Sequence, residues 1–575
     1  MHAKTSESSQ LDLFASSINL LVPKDQKKYS DPLKWHNTFF KQVVERVDED
    51  AFSVLYCQNN GAPNYSIRVL VGMIVLKEAF VWSDSQLFDE VSFNLLVRGA
   101  LGLHNINDAA PARSTYYLFR KRIVEYENQG NENLFAKVFT QVTQEQIIEF
   151  EVRGESVRMD SKLIGSNIAW YSRYELIHET LRSSYKEGGL FVEHLSEEEK
   201  EKLKNIVSEE GQKVSYRSNK DEINSKIDDI GLLIYKILQH PNNQSREKSV
   251  LQQVFEQQYK VGKDESVTAR KKTEISADSI QSPHDTDCDF RNKDGNKVKG
   301  FVGNLTETCD KKVVEVDVVK EDKKIKKTKK ALILNLITNI QVKPVTHSDS
   351  KFFISAIEQS QKILSNPIKS AHADGAFHSP ENQDYCEENG INFIIPKIQG
   401  APSRYDLSID TNNNVVVIDT KTDKILEVKE ITTTKQIERK WRIETEKGYR
   451  YFTLKDIETS MLRKEIQQIP QEELNIRNNV EATIFHFGHR YPHDKTRYRG
   501  LIKHEIWANA RCLWVNCVRI TNYLNKKAIL MAKNWFFDTI IPDFMQNLKS
   551  VSTLTCQFSF LRINSNEISI FNAVA

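Results

Sequence analysis

The stretch from 369 to 397, KSAHADGAFHSPENQDYCEENGINFIIPK, constrains the fold more than any other. Small residues lead to a carboxylate, Asp374, and a turn follows at Gly375. Ser379 then precedes Pro380, the N-cap and first-turn pairing that opens a helix. Asn389-Gly390 is a helix end. Ile391, Phe393, Ile394 and Ile395 make a short buried strand stopped by Pro396. The unit is strand, helix, strand, with an acid at the carboxyl end of the first strand. In α/β sheets ligands and chemistry collect at that end. A functional reading therefore depends on partners for Asp374 elsewhere in the chain.

The chain has 575 residues, which is more than one core can serve, so three or four structural units are expected. It contains no apolar run of about 18 residues, which speaks against a membrane span. The first residues, MHAKTSESSQLDLF, lack a basic-then-apolar leader, so a cytoplasmic protein is expected. Seven cysteines occur without a C-x-x-C pair, which argues against a zinc site or a disulfide framework. With 80 basic against 78 acidic residues, any contact with nucleic acid must come from local patches.

Residues 1–30 read as a polar, mobile start, and 31–150 as a helical domain with apolar positions near a 3.6 period. Ser83-x-x-Gln86 is a capping box for a helix from Asp84. Another helix follows Pro111, with Ser114 or Thr115 as cap. Its exposed side would carry Arg113, Tyr117, Arg120 and Lys121, as on a DNA recognition helix; a solvated basic face is the plainer alternative. Residues 155–165 read as a strand with Asp160 among apolar neighbours, where an acid needs a partner or a metal. Residues 166–269 are a charged helical insertion. Strands are expected at 297–308, 313–319 and 332–343, with 320–330 (KEDKKIKKTKK) as a basic loop. An amphipathic helix over 349–364 leads to the Asp374 strand. Residues 398–464 form a β-rich insertion. A helix over 471–487 puts Arg477 and Glu481 one turn apart. The loop 489–503 holds Arg490, Lys495, Arg497, Arg499 and Lys503 against one acid, Asp494. A last helix precedes a tail, 526–575, with no assigned role.

Without its insertions, the order is three antiparallel strands, β-α-β, and a helix bearing Glu481. That is a ribonuclease H-like order: an α/β mixed sheet (151–165, 270–397 and 465–525) beside an all-α N-terminal domain. Adjacent strands would set Asp160 beside Asp374, and the late helix would bring Glu481. Three carboxylates cannot all ionise side by side without cations. Hard oxygen ligands select Mg²⁺ or Mn²⁺, and two such ions suit in-line phosphoryl displacement.

These stretches resemble the DDE transposases of bacterial insertion sequences, in the group with an InsH-like helical N-terminal domain. The matching residues are 113–122 (RSTYYLFRKR), 157–165 (VRMDSKLIG), 282–289 (SPHDTDCD) with Gly300, and 373–377 (ADGAF). Arg477-x-x-Val480-Glu481 and Arg497-x-Arg499-Gly500 complete the set. The resemblance implies a DDE triad of Asp160, Asp374 and Glu481, with Arg477 as the arginine one turn before the Glu. It implies DNA cleavage and strand transfer with two Mg²⁺ or Mn²⁺ ions. It implies double-stranded DNA as partner, at element ends and target, a homodimer assembled on that DNA, and a nucleoid-associated location. Three positions depart from the pattern: Leu474 and Phe377 where Tyr is common, and Gly488 where Lys is common. Two other functions remain open on the residues alone: a DNA-binding protein that has lost cleavage, and a metal-dependent nuclease without strand transfer.

Overall fold

The computed structural model describes residues 2, 4, 16–57, 61–243, 249–293, 295–310, 313–320, 323–330, 332–398, 400, 403–431, 439–445, 448–489 and 491–535; for 313–320, 323–330 and 534 it describes the backbone only. Arg490 and the tail from 536 lie outside this set.

Four long helices carry the N-terminal region: α1 (Ile67–Phe80), α2 (Asp84–Phe93), α3 (Arg113–Asn128) and α4 (Leu134–Glu149). α1 is apolar on nearly every side and is buried accordingly. The Ser83–Gln86 capping box opens α2 as expected. α3 begins earlier than expected. Ala112 is its N-cap and Arg113 its first residue, so Ser114 and Thr115 lie inside the first turn and cap nothing.

The central sheet has six strands. They are β1 (Ser156–Gly165), β2 (Asp289–Lys293), β3 (Asn296–Thr308), β6 (Ile337–Pro344), β7 (Ser370–His372) and β8 (Asn392–Ile394). Two further strands, β4 (Val313–Lys320) and β5 (Lys323–Lys330), pair only with each other. The sheet runs β8-β7-β1-β3-β2, with β6 also on β3. β1, β3 and β6 are antiparallel neighbours, whereas β7 and β8 run parallel to β1. This is the ribonuclease H-like arrangement expected from the element order. Gly300 is required where β3 crosses β1: a Cβ there would meet the Ile164 carbonyl at 2.1 Å.

Two expectations need correction. Residues 323–330 are the strand β5 rather than part of a loop. Ile325 and Thr328 give the lysine run enough β-branched character to pair with the Val-rich β4. The strand expected over 332–343 starts only at Ile337.

Helices after the β6 strand are α5 (Phe353–Ile363), α6 (Pro380–Glu388), α7 (Leu454–Gln468), α8 (Gln471–Asn478), α9 (Val480–Gly488) and α10 (Leu501–Trp535). Ser379 caps α6 and Pro380 is its first residue, as the sequence requires. The helical insertion has its own core around Ile177, Ile234 and Phe255. The β-rich insertion makes two three-stranded sheets that bury Leu407, Val417 and Trp441 with Ile457 of α7.

One apolar core joins the N-terminal helices to the sheet and to α10. It runs from Phe39 and Leu70 through Ile164 and Phe301 to Trp507 and Leu513. Trp35 packs edge-on against Trp514 at 5.9 Å. Residues 522–575 form a second compact unit, of which the described part is the end of α10. Among the described residues no helix is long and apolar enough to cross a membrane.

Candidate active site

β1 and β7 bring the first two acids together. Their parallel register pairs Arg158 with His372, so Asp160 and Asp374 each stand two residues further along neighbouring strands. Asp374 lies two residues past the end of β7 and caps a short 3-10 turn, Gly375–Phe377, through Gly375 N at 2.7 Å. Gly375 is required by close approach, since a Cβ there would meet the Lys397 carbonyl at 2.0 Å. Asp160 Oδ1 accepts from Ser161 N at 2.9 Å.

Arg477, near the end of α8, faces both acids. Its Nη2 lies 3.5 Å from Asp160 Oδ2 and 3.6 Å from Asp374 Oδ2. Burial nevertheless raises Asp160 to about 6; Arg477 and the Ser161 amide work against that rise, and the charges of Asp374 and Asp349 add to it. The Arg477 guanidinium therefore does not offset the burial of Asp160.

Glu481 is placed differently. It is exposed in the first turn of α9 and has no ion pair or hydrogen bond among the described residues. Asn479 separates α8 from α9 with near-helical angles (φ −70, ψ −15). Glu481 thus stays on the helical side used by Arg477, one turn of about 5.4 Å further on. Among the described residues no three His, Cys, Asp or Glu side chains stand close enough to share one ion. The donor set still suits a hard divalent cation. Asp160 and Asp374 present hard carboxylate oxygens to the same guanidinium, the donor type that a divalent cation takes.

Residues without a role in the sequence reading hold this geometry. Glu307 of β3 is fully buried between Arg158 (2.5 Å) and Arg519 of α10 (2.6 Å), and accepts from Thr483 of α9 at 2.8 Å. Arg158 in turn donates to the Ile476 carbonyl at 2.9 Å, which sets the end of α8 beside β1. Arg511 of α10, also buried, donates to Glu78 O and Ala79 O at the end of α1 and to His486 O and Phe487 O at the end of α9. Asp287 accepts from Leu501 N at 2.9 Å and so caps α10.

The basic candidates gather on another face. Arg497 Nη1 donates to Trp82 O (2.9 Å), Arg499 Nε to Asn167 O (2.7 Å) and Lys495 Nζ to Ile168 O (3.0 Å). Arg120 is half-buried, 3.8 Å from Asp84 and over the rings of Tyr116 and Tyr498. Arg113 lies over Phe88, Tyr117 is exposed, and Lys121 pairs with Glu125 at 3.5 Å. A cleft of about 600 Å³ is lined by Lys77, Arg120, Arg497, Arg499 and Lys503 together with Asp84. The α3 cations and the 497–503 cations therefore share one cleft at its Arg120 edge, rather than forming two separate surfaces. Arg490 lies outside the described residues. The space of a side chain at Gly488 is filled by Lys162 of β1, whose Cε would lie 2.6 Å from a Cβ there and whose Nζ pairs with Asp494 at 2.7 Å.

Two family models match the chain. A transposase domain (DUF772) covers residues 27–122, and a transposase DDE domain covers 323–517. The chain is a DDE transposase of the insertion-sequence kind. The second match includes Asp374, Arg477 and Glu481; Asp160 lies before it, so its membership of the site rests on the β1–β7 register. DDE transposases generally use divalent metal ions. No curated protein and no solved structure matches the chain.

Proposed function

We infer that this transposase binds the ends of its insertion sequence and cuts and joins DNA with Asp160, Asp374 and Glu481. The observation that carries the reading is the convergence of Asp160 and Asp374 on Arg477, from β1 and from the turn that follows its parallel neighbour β7. Asp160 and Asp374 would hold Mg²⁺ or Mn²⁺, with Glu481 completing the set from α9. Bound ions would supply charge neutralisation at the attacking and leaving oxygens of the phosphodiester. The chain's own share is positioning. Glu307 and Arg511 fix α8 and α9, and Arg477 bridges the Asp160 and Asp374 carboxylates. The Lys77, Arg120, Arg497, Arg499 and Lys503 cleft supplies phosphate contacts. A homodimer assembled on two DNA ends is part of the same proposal.

The test uses linear DNA carrying the sequences that flank the coding region, incubated with Mg²⁺ and a target plasmid. Joined products at defined ends are expected. Nicked or cut DNA without joined products would instead favour a nuclease, and binding without any cut a protein that has lost cleavage.

A further inference from the structure

We propose that Lys162 contacts a DNA phosphate beside Asp160 and Asp374, exchanging its partner Asp494 for the strand that is cut; this rests on the reading of those two acids as the reaction centre. Side chains alternate along a strand, so Arg158, Asp160 and Lys162 share one face of β1. α8 and α9 run along that face. Arg158 meets the Ile476 carbonyl at 2.9 Å, Asp160 meets Arg477 at 3.5 Å, and Lys162 lies against Gly488. Lys162 is thus the next side chain after Asp160 on this face, about 6.7 Å further along. Phosphates of one DNA strand follow each other at about 3.4 Å of helix axis, so the lysine stands one or two nucleotides from a phosphate held at the acids. It also lies beyond the part of β1 that β7 covers, since their pairing ends at Arg158 and His372. That is the carboxyl end of the parallel strands, where ligands enter an α/β sheet.

Gly488 makes room for this lysine. A Cβ there would lie 2.6 Å from Lys162 Cε and 3.0 Å from its Nζ. Gly488 ends α9 seven residues after Glu481, on nearly the same side and about 10.5 Å along the axis. The helical stripe that presents Glu481 therefore ends on the Lys162 ammonium rather than on a side chain of its own. The Lys162 side chain is 17% exposed, whereas that of Asp494, in the loop that carries Lys495, Arg497 and Arg499, is 55% exposed. An ion pair with one partner largely in solvent is weak and readily exchanged. The loop does not depend on it: Lys495 bridges to Gly165, Thr496 N donates to Gly165 O at 2.9 Å, and Lys495 Nζ donates to the Ile168 carbonyl at 3.0 Å. Arg477 is engaged by both acids, and Lys162 is the next cation along this face. The competing role for Lys162 is a structural clamp between β1 and the loop.

Binding of the full-length protein to linear DNA carrying the sequences that flank the coding region separates the two roles. It is measured in EDTA over a range of salt, with melting, and with cleavage in Mg²⁺ alongside. Lys162→Met keeps an apolar stem and removes the charge. It should weaken binding several-fold, lower the salt slope by about one phosphate contact and reduce cleavage by about tenfold or more. Asp494→Asn should bind more tightly, because the acid that competes with phosphate is gone. Lys162→Arg should retain the slope. An unchanged slope in Lys162→Met overturns the proposal, as does weaker binding with lower melting in both Lys162→Met and Asp494→Asn, the mark of a clamp. If the slope is unchanged in Lys162→Met while Asp160→Asn abolishes cleavage, only the role of the lysine falls. If the unmutated protein neither binds nor cuts this DNA, the reading of the whole site fails with it.

Discussion

Asp160→Asn should make the metal-free protein more stable at neutral pH. Asp160 is raised from an ordinary 3.8 to about 6, chiefly by burial. A native state that holds this proton more tightly than the unfolded chain is favoured at low pH. It loses that advantage as pH climbs from about 4 to about 6. Each pH unit in that window is worth about 1.36 kcal/mol, so the carboxylate costs about 3 kcal/mol at pH 7.5. Asn has the shape of the protonated acid and escapes that cost, while Arg477 keeps Asp374 at 3.6 Å. Urea denaturation in EDTA is the assay, at pH 7.5 and pH 4 for both proteins. A gain of about 3 kcal/mol at pH 7.5 that shrinks towards zero at pH 4 is expected. A loss at pH 7.5, or an equal gain at both pH values, would refute the idea that the site stores the cost of a buried, undercompensated charge.

Glu307→Ala should destabilise the fold by about 3–5 kcal/mol, since it leaves two partly buried guanidiniums unpaired; urea midpoints check it, and a change within error would show the network to be dispensable. The same variant frees the Ile476 and Thr483 attachments, so DNA cleavage in Mg²⁺ should fall even where the protein is fully folded. Arg497→Ala with Arg499→Ala should weaken binding to any DNA sequence and lower the salt slope by up to about two phosphate contacts. Because both side chains also hold carbonyls of Trp82 and Asn167, a small drop in melting temperature should accompany it; a drop with an unchanged slope would make them purely structural. Arg120→Ala should perturb the same cleft and lower the affinity for both element-end and random DNA, rather than only narrowing the gap between them.

The strand order and the Asp160–Asp374 pairing were legible because each rests on a local signal. These are a small-residue strand ending in an acid, a Ser-Pro helix start and an acid inside an apolar strand. Glu307 carried no such signal: it lies near the end of its strand between Thr306 and Thr308, directly across from Arg158, and only its burial reveals the partners it needs. α7 was hidden by the alternating pattern that precedes it, although Thr453 and Asp456 make a capping box at its start. The union of α3 with the 497–503 loop could not be read locally. It depends on the Arg120 guanidinium lying over the Tyr498 ring and on Tyr491 and Tyr498 both donating to Glu78 of α1, more than 400 residues away.

The central claim is that Glu481, exposed one helical turn beyond Arg477, works with Asp160 and Asp374. The most direct measurement is single-turnover cleavage of an element end in Mg²⁺ by Asp160→Asn, Asp374→Asn and Glu481→Gln, with DNA affinity measured in parallel in EDTA. All three should lose cleavage to background while binding the end as the unmutated protein does. Glu481→Gln that cuts at the unmutated rate, while Asp160→Asn and Asp374→Asn do not, would remove Glu481 from the site.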